Sequence, residues 1–248
     1  MNRFRISTYT VFITEKFAHL ADKLVSIAQR LSEIKEKNKV DEIEEVRILR
    51  DSYSTFAAVF KAFGLTLHLK LSKPRSIAYI LRHLPPRYGR ILYNFKIASS
   101  IEKLNLPSLT PVAALFKRRF LTLQESILIT LFVEGTPLSE LLRKEALPDS
   151  FVLSLAHSVA TFHNASVFHG DLKPPNIIIT PEDSVILCDY DNTKLIRNLS
   201  LKKAAKDLKR LKESLPLDSF KKFLAEYIKI RNFTQQDKLI LTNLLGLH

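Results

Sequence analysis

The stretch of sequence that decides the fold is VFHGDLKPPNIIITPEDSVILCDYD, residues 167–191. A polar loop opens it, and two short apolar runs follow at residues 177–179 and 184–188, separated by a turn at 181–183. β-Branched runs on either side of a tight turn predict a β-hairpin. Because the outer ends of a hairpin's two strands lie side by side, the polar residues that flank this hairpin are expected to come together.

These flanking residues suit the transfer of a phosphoryl group. Asn176 precedes the first strand and Asp189 ends the second, and both carry the hard oxygen ligands that Mg²⁺ takes beside phosphates. Asp171 can accept the proton of an attacking hydroxyl, and Lys173 can neutralise the negative charge of the moving phosphoryl group. Asp171 and Lys173 are therefore the candidate catalytic residues.

The order of these residues resembles the catalytic loop of protein-kinase-like enzymes, H-x-D-x-K-x-x-N, which is followed by a metal-binding aspartate at the end of a strand. Here the loop reads HGDLKPPN over residues 169–176, and Asp189-Tyr190-Asp191 follows the second strand. The resemblance implies an α+β, protein-kinase-like bilobal fold, with a β-rich N-lobe and a reduced, mostly helical C-lobe. It also implies ATP and Mg²⁺ as cofactors.

The chain divides into three predicted parts. Residues 1–45 form an amino-terminal extension that starts extended or frayed and continues as an amphipathic helix over 15–36, with apolar residues at steps of three and four. That helix either docks on the domain, lies on a membrane surface or makes a coiled-coil contact. Residues 46–133 form the kinase-like N-lobe, and residues 134–248 form the C-lobe that carries the catalytic loop.

The N-lobe begins with three predicted antiparallel strands, over residues 46–50, 55–63 and 65–71. By its resemblance to a kinase N-lobe, Lys70 on the third strand is the lysine that holds the nucleotide phosphates. Lys61 is the rival, but it lies on the second strand.

Two features depart from the kinase pattern. The turn at residues 51–54 contains no glycine, so Ser52, Ser54 or Thr55 would contact the phosphates in place of a Gly-rich loop. A short helix is predicted over residues 76–84. The longer helix after it, over 90–104, has no glutamate in its middle to pair with the strand lysine.

A second hairpin, with strands at 120–123 and 127–132, resembles the kinase hinge. By this resemblance Leu131 and Val133 present backbone groups to the adenine, and Thr130 lies at the rear of the pocket. In the C-lobe a helix over residues 149–164 leads into the catalytic loop, and three more are predicted after Asp191, at 200–214, 218–230 and 235–247.

Two details narrow the resemblance to the lipopolysaccharide kinase family, which phosphorylates Kdo or heptose sugars of the lipopolysaccharide core. Asp191 replaces the glycine of the usual D-F-G element, and a basic helix follows that reads DLKRLKES over residues 207–214. By this resemblance Asp171 is the catalytic base and Lys173 neutralises the phosphate. Asn176 and Asp189 hold Mg²⁺, and Asp191 either adds a third metal contact or orients Asp189.

The net charge of +13 indicates an anionic partner. An anionic sugar or glycolipid substrate is favoured, with nucleic acid the less favoured partner, and the basic helix over 200–214 would add attraction to an anionic membrane. No apolar run is long enough to span a bilayer and no signal peptide is evident. The sequence therefore predicts a cytoplasmic protein, peripheral on the inner face of the cytoplasmic membrane; it does not predict the oligomeric state.

Two other functions stay open at this point. A small atypical Ser/Thr protein kinase, similar to the RIO kinases or to the kinase of the tRNA-threonylcarbamoyl complex, would share the H-G-D loop. A non-catalytic nucleotide-binding scaffold is suggested by the missing Gly-rich loop and the missing helix glutamate. Intact Asp171, Asn176 and Asp189 argue against the scaffold, and Asp191 with its basic helix favours the sugar kinase.

Overall fold

The computed structural model describes residues 1–33, 45–52, 54–74, 88–120, 122–144 and 147–247. Internal packing divides the chain into two units. The first unit comprises residues 1–99 and 110–132, and the second comprises residues 100–109 and 133–248. Strands dominate the first unit and helices the second. The α+β, protein-kinase-like bilobal fold class is therefore confirmed.

The first unit is built on a seven-stranded antiparallel sheet with the strand order β1-β2-β6-β7-β5-β4-β3. The strands are β1 (Asn2–Ile6), β2 (Tyr9–Ile13), β3 (Val46–Ser52), β4 (Thr55–Ala62), β5 (Leu65–Ser72), β6 (Pro111–Arg119) and β7 (Thr122–Leu131). Along β5 the odd-numbered residues from Leu67 to Leu71 are buried in the core and the even-numbered residues face the other way. This period of two is what a half-buried strand requires.

The amino-terminal residues differ from their predicted place outside the N-lobe. Residues 1–13 form the β1–β2 hairpin, and β2 pairs with β6, so the hairpin extends the sheet from five strands to seven. A 3₁₀ helix (Glu15–Leu20) leads into α1 (Ala21–Glu33). Leu24, Ile27 and Leu31 of α1 are buried in the same hydrophobic core as the strands. The predicted amphipathic helix therefore docks on the sheet, as the first of its three alternatives expected.

The helix α2 (Gly89–Lys103) follows the strands and matches the predicted helix at 90–104 to within a residue. Asn94, which stands where a kinase carries its helix glutamate, is buried. The predicted short helix at residues 76–84 lies outside the described residues.

The second unit consists of five helices and short strands within its described residues. The helices are α3 (Leu138–Lys144), α4 (Asp149–Asn164), α5 (Leu201–Lys212), α6 (Leu217–Ile230) and α7 (Gln235–Leu245). The strands are β8 (Thr136–Pro137), β9 (Val167–Phe168), β10 (Ile177–Ile179), β11 (Val185–Leu187) and β12 (Lys194–Leu195). None of the described helices has the length and apolar composition needed to cross a membrane.

Candidate active site

The predicted hairpin is confirmed, and it sets the frame of the site. β10 and β11 pair antiparallel, with Ile177 opposite Leu187. One step further out, the N–H of Cys188 donates to the carbonyl of Asn176 at 2.9 Å. The pairing thus fixes Asn176 beside the end of the strand that leads into Asp189.

Asp171, Lys173 and Asn176 meet around one carboxylate. The Lys173 ammonium donates to Asp171 Oδ2 at 2.6 Å. The Asn176 side-chain amide donates to the Asp171 backbone carbonyl at 2.9 Å and to Oδ2 at 3.3 Å. Because both bonds use Nδ2, the amide oxygen of Asn176 remains the group that can bind a cation. Asn176 is buried, whereas Lys173 is exposed.

Asp189 adopts a conformation that non-glycine residues usually avoid. Its backbone lies in the left-handed region, with φ 63° and ψ 72°. Among the described residues, its buried Oδ1 has no hydrogen-bond partner. A buried carboxylate oxygen without a donor fits a site that a cation would complete. Asp191 lies two residues on, in the 3₁₀ turn Tyr190–Asn192, and is partly exposed.

The amide of Asn176 is needed for any such cation site. No group of three His, Cys, Asp or Glu side chains placed to hold a metal occurs in the part of the chain that the structure describes. The candidate ligand set is therefore a mixed one of amide and carboxylate oxygens, which suits a hard cation that keeps ligands from phosphate or water.

His169 connects the catalytic loop to the strand before Asp189. Its Nε2 lies 3.1 Å from the Cys188 carbonyl, and its Nδ1 lies 3.4 Å from the backbone N–H of Asp171. A neutral ring satisfies both contacts, with Nε2–H donating and Nδ1 accepting. Burial lowers the pKa of His169, against the opposing effect of nearby carboxylates, chiefly that of Asp207. The uncharged ring therefore holds the loop to the strand before Asp189 through these two contacts.

Asp207 on α5 holds the loop through two of its backbone N–H groups. Its Oδ2 accepts from the His169 backbone N–H at 2.9 Å, and its Oδ1 accepts from the Gly170 N–H at 2.8 Å. Thr193 adds a third tie, because its hydroxyl donates to the His169 carbonyl at 3.0 Å. Bonds from backbone N–H groups to a buried carboxylate are stronger than neutral hydrogen bonds. The backbone just before Asp171 is thus fixed in place.

Asp207 is held by the buried side chain of His163, which is in turn held by the buried side chain of Tyr227. His163 on α4 places Nε2 3.3 Å from Asp207 Oδ2 and Nδ1 2.7 Å from the Tyr227 hydroxyl on α6. Since a carboxylate only accepts, Nε2 carries the hydrogen and Tyr227 donates to Nδ1. Burial lowers the pKa of His163, although the hydrogen bond to Asp207 opposes the shift. Burial also raises the pKa of Tyr227. The three helices are therefore joined by buried hydrogen bonds, and Asp207 on α5 is the member that contacts the catalytic loop.

Gly170 is the one residue of the loop whose identity the backbone dictates. Its φ is +79°, and a Cβ there would lie 2.6 Å from the carbonyl oxygen of Asn192. A side chain would therefore meet both backbone strain and a close contact with the turn that carries Asp191.

A family model described as the lipopolysaccharide kinase (Kdo/WaaP) family matches residues 35–243 of the chain. The chain belongs to this family. The match includes the catalytic loop, the β10–β11 hairpin and the helix that carries Asp207. The lipopolysaccharide kinase family was also the one that the Asp189-Tyr190-Asp191 element and the basic helix had indicated.

Individual relatives agree with the family. The chain is 30% identical over 136 residues to the 3-deoxy-D-manno-octulosonic acid kinase of Vibrio parahaemolyticus, covering 55% of this chain and 53% of that protein. It is 31% identical over 111 residues to the kinase of the same name from Photobacterium profundum, covering 45% of each. A serine/threonine-protein kinase of Heliothis zea nuclear polyhedrosis virus is 31% identical over 91 residues, 35% of this chain and 34% of that protein. The chain thus spans about half the length of the Kdo kinases it matches.

Lys70 is the residue that the sequence predicts to bind the nucleotide phosphates. Lys70 lies on β5 opposite Leu128, on the strand face away from the core. His68 occupies the same face and lies opposite Thr130 of β7. Thr130 is buried, and its hydroxyl has no hydrogen-bond partner among the described residues. Burial, with a smaller effect of Lys70, lowers the pKa of His68 to about 4.

The other predicted nucleotide contacts have local partners. The Leu131 N–H donates to the Thr110 carbonyl at 2.9 Å, which leaves only its carbonyl for an adenine. Val133 follows β7 as a half-buried residue outside regular structure. The Ser52 hydroxyl donates to the Thr55 carbonyl at 2.9 Å. A phosphate would have to compete with that bond.

Sequence reasoning assigned no role to Asp207 or His68. A signal for Asp207 was present, because it is the one acid of α5 and lies on the helix face that buries Ala204, Leu208 and Leu211. A carboxylate on an apolar stripe must find buried partners. The signal for His68 was its position two residues before Lys70, on the same strand face.

Proposed function

We propose that this chain is an ATP-dependent kinase that transfers the γ-phosphoryl group to a hydroxyl of a lipopolysaccharide core sugar, Kdo or heptose, or of a similar glycolipid. One observation carries the proposal: Lys173 and Asn176 converge on the Asp171 carboxylate, beside a strand end where Asp189 keeps a buried oxygen without a donor. Membership of the lipopolysaccharide kinase family and two relatives named as Kdo kinases support a sugar acceptor.

Asp171 acts as the base in this proposal. It accepts the proton of the sugar hydroxyl while the sugar oxygen bonds to the γ-phosphorus and the bond from that phosphorus to the ADP oxygen breaks. Asn176 holds the carboxylate in position through Nδ2. Lys173, which is exposed and bonded to Asp171 in the free protein, moves its ammonium to the transferred group. That movement costs little, since exposed ion pairs contribute only about 0–1 kcal/mol.

The residues for a metal are Asn176 through its amide oxygen, Asp189 through its unpartnered oxygen, and Asp191 as a third contact or as a support for Asp189. When bound, Mg²⁺ would neutralise charge on the phosphate oxygens. For the nucleotide, we propose Lys70 and Ser52 on the phosphates and Thr130, Leu131 and Val133 at the adenine.

The test is ATP turnover with Mg²⁺, measured with and without deacylated core glycolipid. Wild-type turnover should rise with the glycolipid, and Asp171→Asn should reduce it about 10²–10⁴-fold, the range for loss of a general base. Asp183→Asn, the same change at an exposed turn residue between β10 and β11, is the matched control and should leave turnover unchanged. Turnover that does not depend on Asp171 would refute the proposal.

A small atypical Ser/Thr protein kinase is the second candidate, and the match to a viral serine/threonine-protein kinase favours it. Turnover that needs Asp171 but ignores the glycolipid, and that phosphorylates a protein substrate instead, would select it. Nucleotide binding without any Asp171-dependent turnover would leave the non-catalytic scaffold.

We also infer that the protein is cytoplasmic and peripheral on the inner face of the cytoplasmic membrane. The support is its charge of +13 and the anionic, lipid-linked nature of the proposed acceptor. In fractionated cells it should sediment with membranes at low salt and be released by high salt. Retention in the soluble fraction at low salt would contradict this location.

A further inference from the structure

A basic cleft lies in the first unit, far along the chain from the catalytic loop. It has a volume of about 660 Å³ and is formed by the β1–β2 hairpin and the end of β6. Arg3, Arg5 and Arg118 line it, together with three residues of the hairpin that carry hydroxyl groups and with Phe4 and Phe120. No carboxylate is among the described residues that line it. The cleft therefore offers guanidinium and hydroxyl donors without a neutralising acid, which is the chemistry that binds phosphate esters.

Two of the arginines are held in place before any ligand arrives. Arg3 donates from Nη2 to the Tyr88 hydroxyl at 3.1 Å. The guanidinium of Arg118 lies 5.1 Å from the centre of the same ring. Arg3 also lies 5.6 Å from the ring centre of Phe12. Side chains fixed in this way lose less freedom on binding, so a prearranged pair of arginines is a better anion receptor than two mobile ones.

Phe120 gives the cleft an apolar edge, whereas Phe4, opposite Val11, lies on the face of β1 away from Arg3 and Arg5. Phe120 is 92% exposed, and Phe4 is 39% exposed. Phe120 lies at the turn that joins β6 to β7, with a backbone φ of +52° that disfavours a bulky residue. An exposed ring at a loop tip beside arginines matches surfaces that bind a membrane, where apolar groups enter the interface and cations meet the headgroups.

We propose that this surface, the hairpin cleft, docks the protein on a bilayer with anionic phosphate headgroups. The cleft takes a headgroup phosphate between its arginines, and Phe120 enters the interfacial layer. The proposal deepens the proposed peripheral location by naming the surface that makes the contact.

The basic face of α5, which the sequence suggested for this contact, is the weaker choice. Lys212 is already used, because its ammonium donates to the carbonyls of Leu245 and Gly246 at 2.5 and 3.1 Å. Lys206 lies over the Phe168 ring. The helix itself contains no aromatic residue that could enter a membrane. It therefore offers charge without an apolar anchor.

The experiment measures partition of the full chain onto vesicles of phosphatidylglycerol and phosphatidylcholine, and onto phosphatidylcholine alone. The triple variant Arg3→Gln, Arg5→Gln, Arg118→Gln should weaken binding to the anionic vesicles by about 10-fold or more. Its charge-matched control, Lys202→Gln, Lys203→Gln, Lys209→Gln on α5, should weaken it less than about 3-fold, because long-range attraction alone is lost.

A second pair of variants tests the ring. Phe120→Ser should weaken binding that persists at high salt, whereas Leu239→Ser, which removes an exposed apolar side chain from the second unit, should not. Thermal melting confirms folding, and Arg5→Lys, which keeps the charge, should retain most of the binding.

Equal losses from the hairpin and α5 triple variants would overturn the proposal, because net charge would then explain the binding. Binding of inorganic phosphate is measured on the same variants. If the hairpin triple variant loses phosphate binding but binds vesicles as the wild type does, the proposal is overturned as well, because the cleft then takes a soluble ligand. Turnover on a deacylated, water-soluble acceptor should be the same in all five variants, so a failure of the docking surface is distinguishable from a failure of the kinase proposal.

Discussion

One carboxylate belongs to the catalytic loop and another, on α5, holds that loop, and their surroundings differ. Asp207 is 1% exposed, and its two oxygens accept from two backbone N–H groups and from His163. Asp171 lies nearer the surface, and its Oδ2 accepts from Lys173 and from the amide of Asn176. The donors to Asp207 are two backbone N–H groups and a buried ring. The donors to Asp171 are two side chains, one of which is exposed. The comparison teaches that the carboxylate that holds the loop in place is not the one that is placed to act on a substrate.

The largest expected effect comes from the open carboxylate. Asp171→Asn should lower the turnover number about 10³-fold, because the base is lost. The free energy of unfolding should change by less than about 1 kcal/mol, since only a partly exposed ion pair and one long amide contact are affected. Turnover assays and urea unfolding on the same preparation check both halves. A destabilised Asp171→Asn protein would break the comparison.

Asp207→Asn should show the opposite balance. One of the two backbone N–H groups then meets the NH₂ of the amide in place of a carboxylate oxygen. Because hydrogen bonds to charged groups contribute about 1.5–3 kcal/mol each, we expect about 3 kcal/mol less stability. Turnover should fall only about 10- to 100-fold through the displaced loop. Asp218→Asn, at an exposed position on α6, is the control for urea unfolding.

The pH dependence of stability follows from the buried histidines. Burial lowers the pKa of His163 in the folded protein, whereas the unfolded chain binds that proton with a pKa of about 6.5. The unfolded state therefore binds more protons below about pH 6.5. The stabilisation by neutral His163 is complete above that pH and is lost as the pH falls, by at most about 1.4 kcal/mol per unit.

His163→Gln should flatten this dependence between about pH 6.5 and 5, measured by urea unfolding at several pH values. His157→Gln, an exposed histidine on the same helix, should leave the slope as in the wild type. An unchanged slope in His163→Gln would mean that His163 binds its proton equally well in the folded and unfolded states.

The smallest expected effect is at the far end of the buried chain of contacts. Tyr227→Phe removes the hydroxyl that donates to His163 Nδ1 and should cost about 1 kcal/mol of stability. Because Asp207 keeps its backbone donors, turnover should stay within about 3-fold of wild type. A larger loss of turnover would show that support for the loop extends to α6.

Local sequence patterns predicted the elements that bring the residues of the candidate site together. The β-branched run at Ile177 and the turn after it specify the hairpin, and the hairpin alone places Asn176 beside the strand that leads into Asp189. The helix α4 has the predicted bounds, because its apolar spacing and its start after Pro148 are signals within a single element.

Contacts between distant segments were not predictable in the same way. Nothing in the first 13 residues indicates that β2 pairs with β6, since the partner strand lies elsewhere in the chain and period-two patterns do not name a partner. The role of Asp207 depends on His169 and Gly170, 38 and 37 residues earlier, and on His163 and Tyr227 on two other helices. The catalytic, metal-binding and nucleotide-binding roles of all the predicted site residues stay predictions, including those of Lys70, Ser52 and Asp191.

The pairing of β2 with β6 also affects how the protein folds during its synthesis on the ribosome. Tyr9 lies opposite Lys117, so β2 is made roughly a hundred residues before its partner strand β6 exists. At synthesis rates of 5–20 residues per second, that wait is on the order of 5–20 s. During this interval β2, with its buried residues Tyr9, Val11 and Ile13, is paired with β1 but lacks its neighbour β6. Chaperone capture and early misassembly would therefore concentrate on this amino-terminal hairpin.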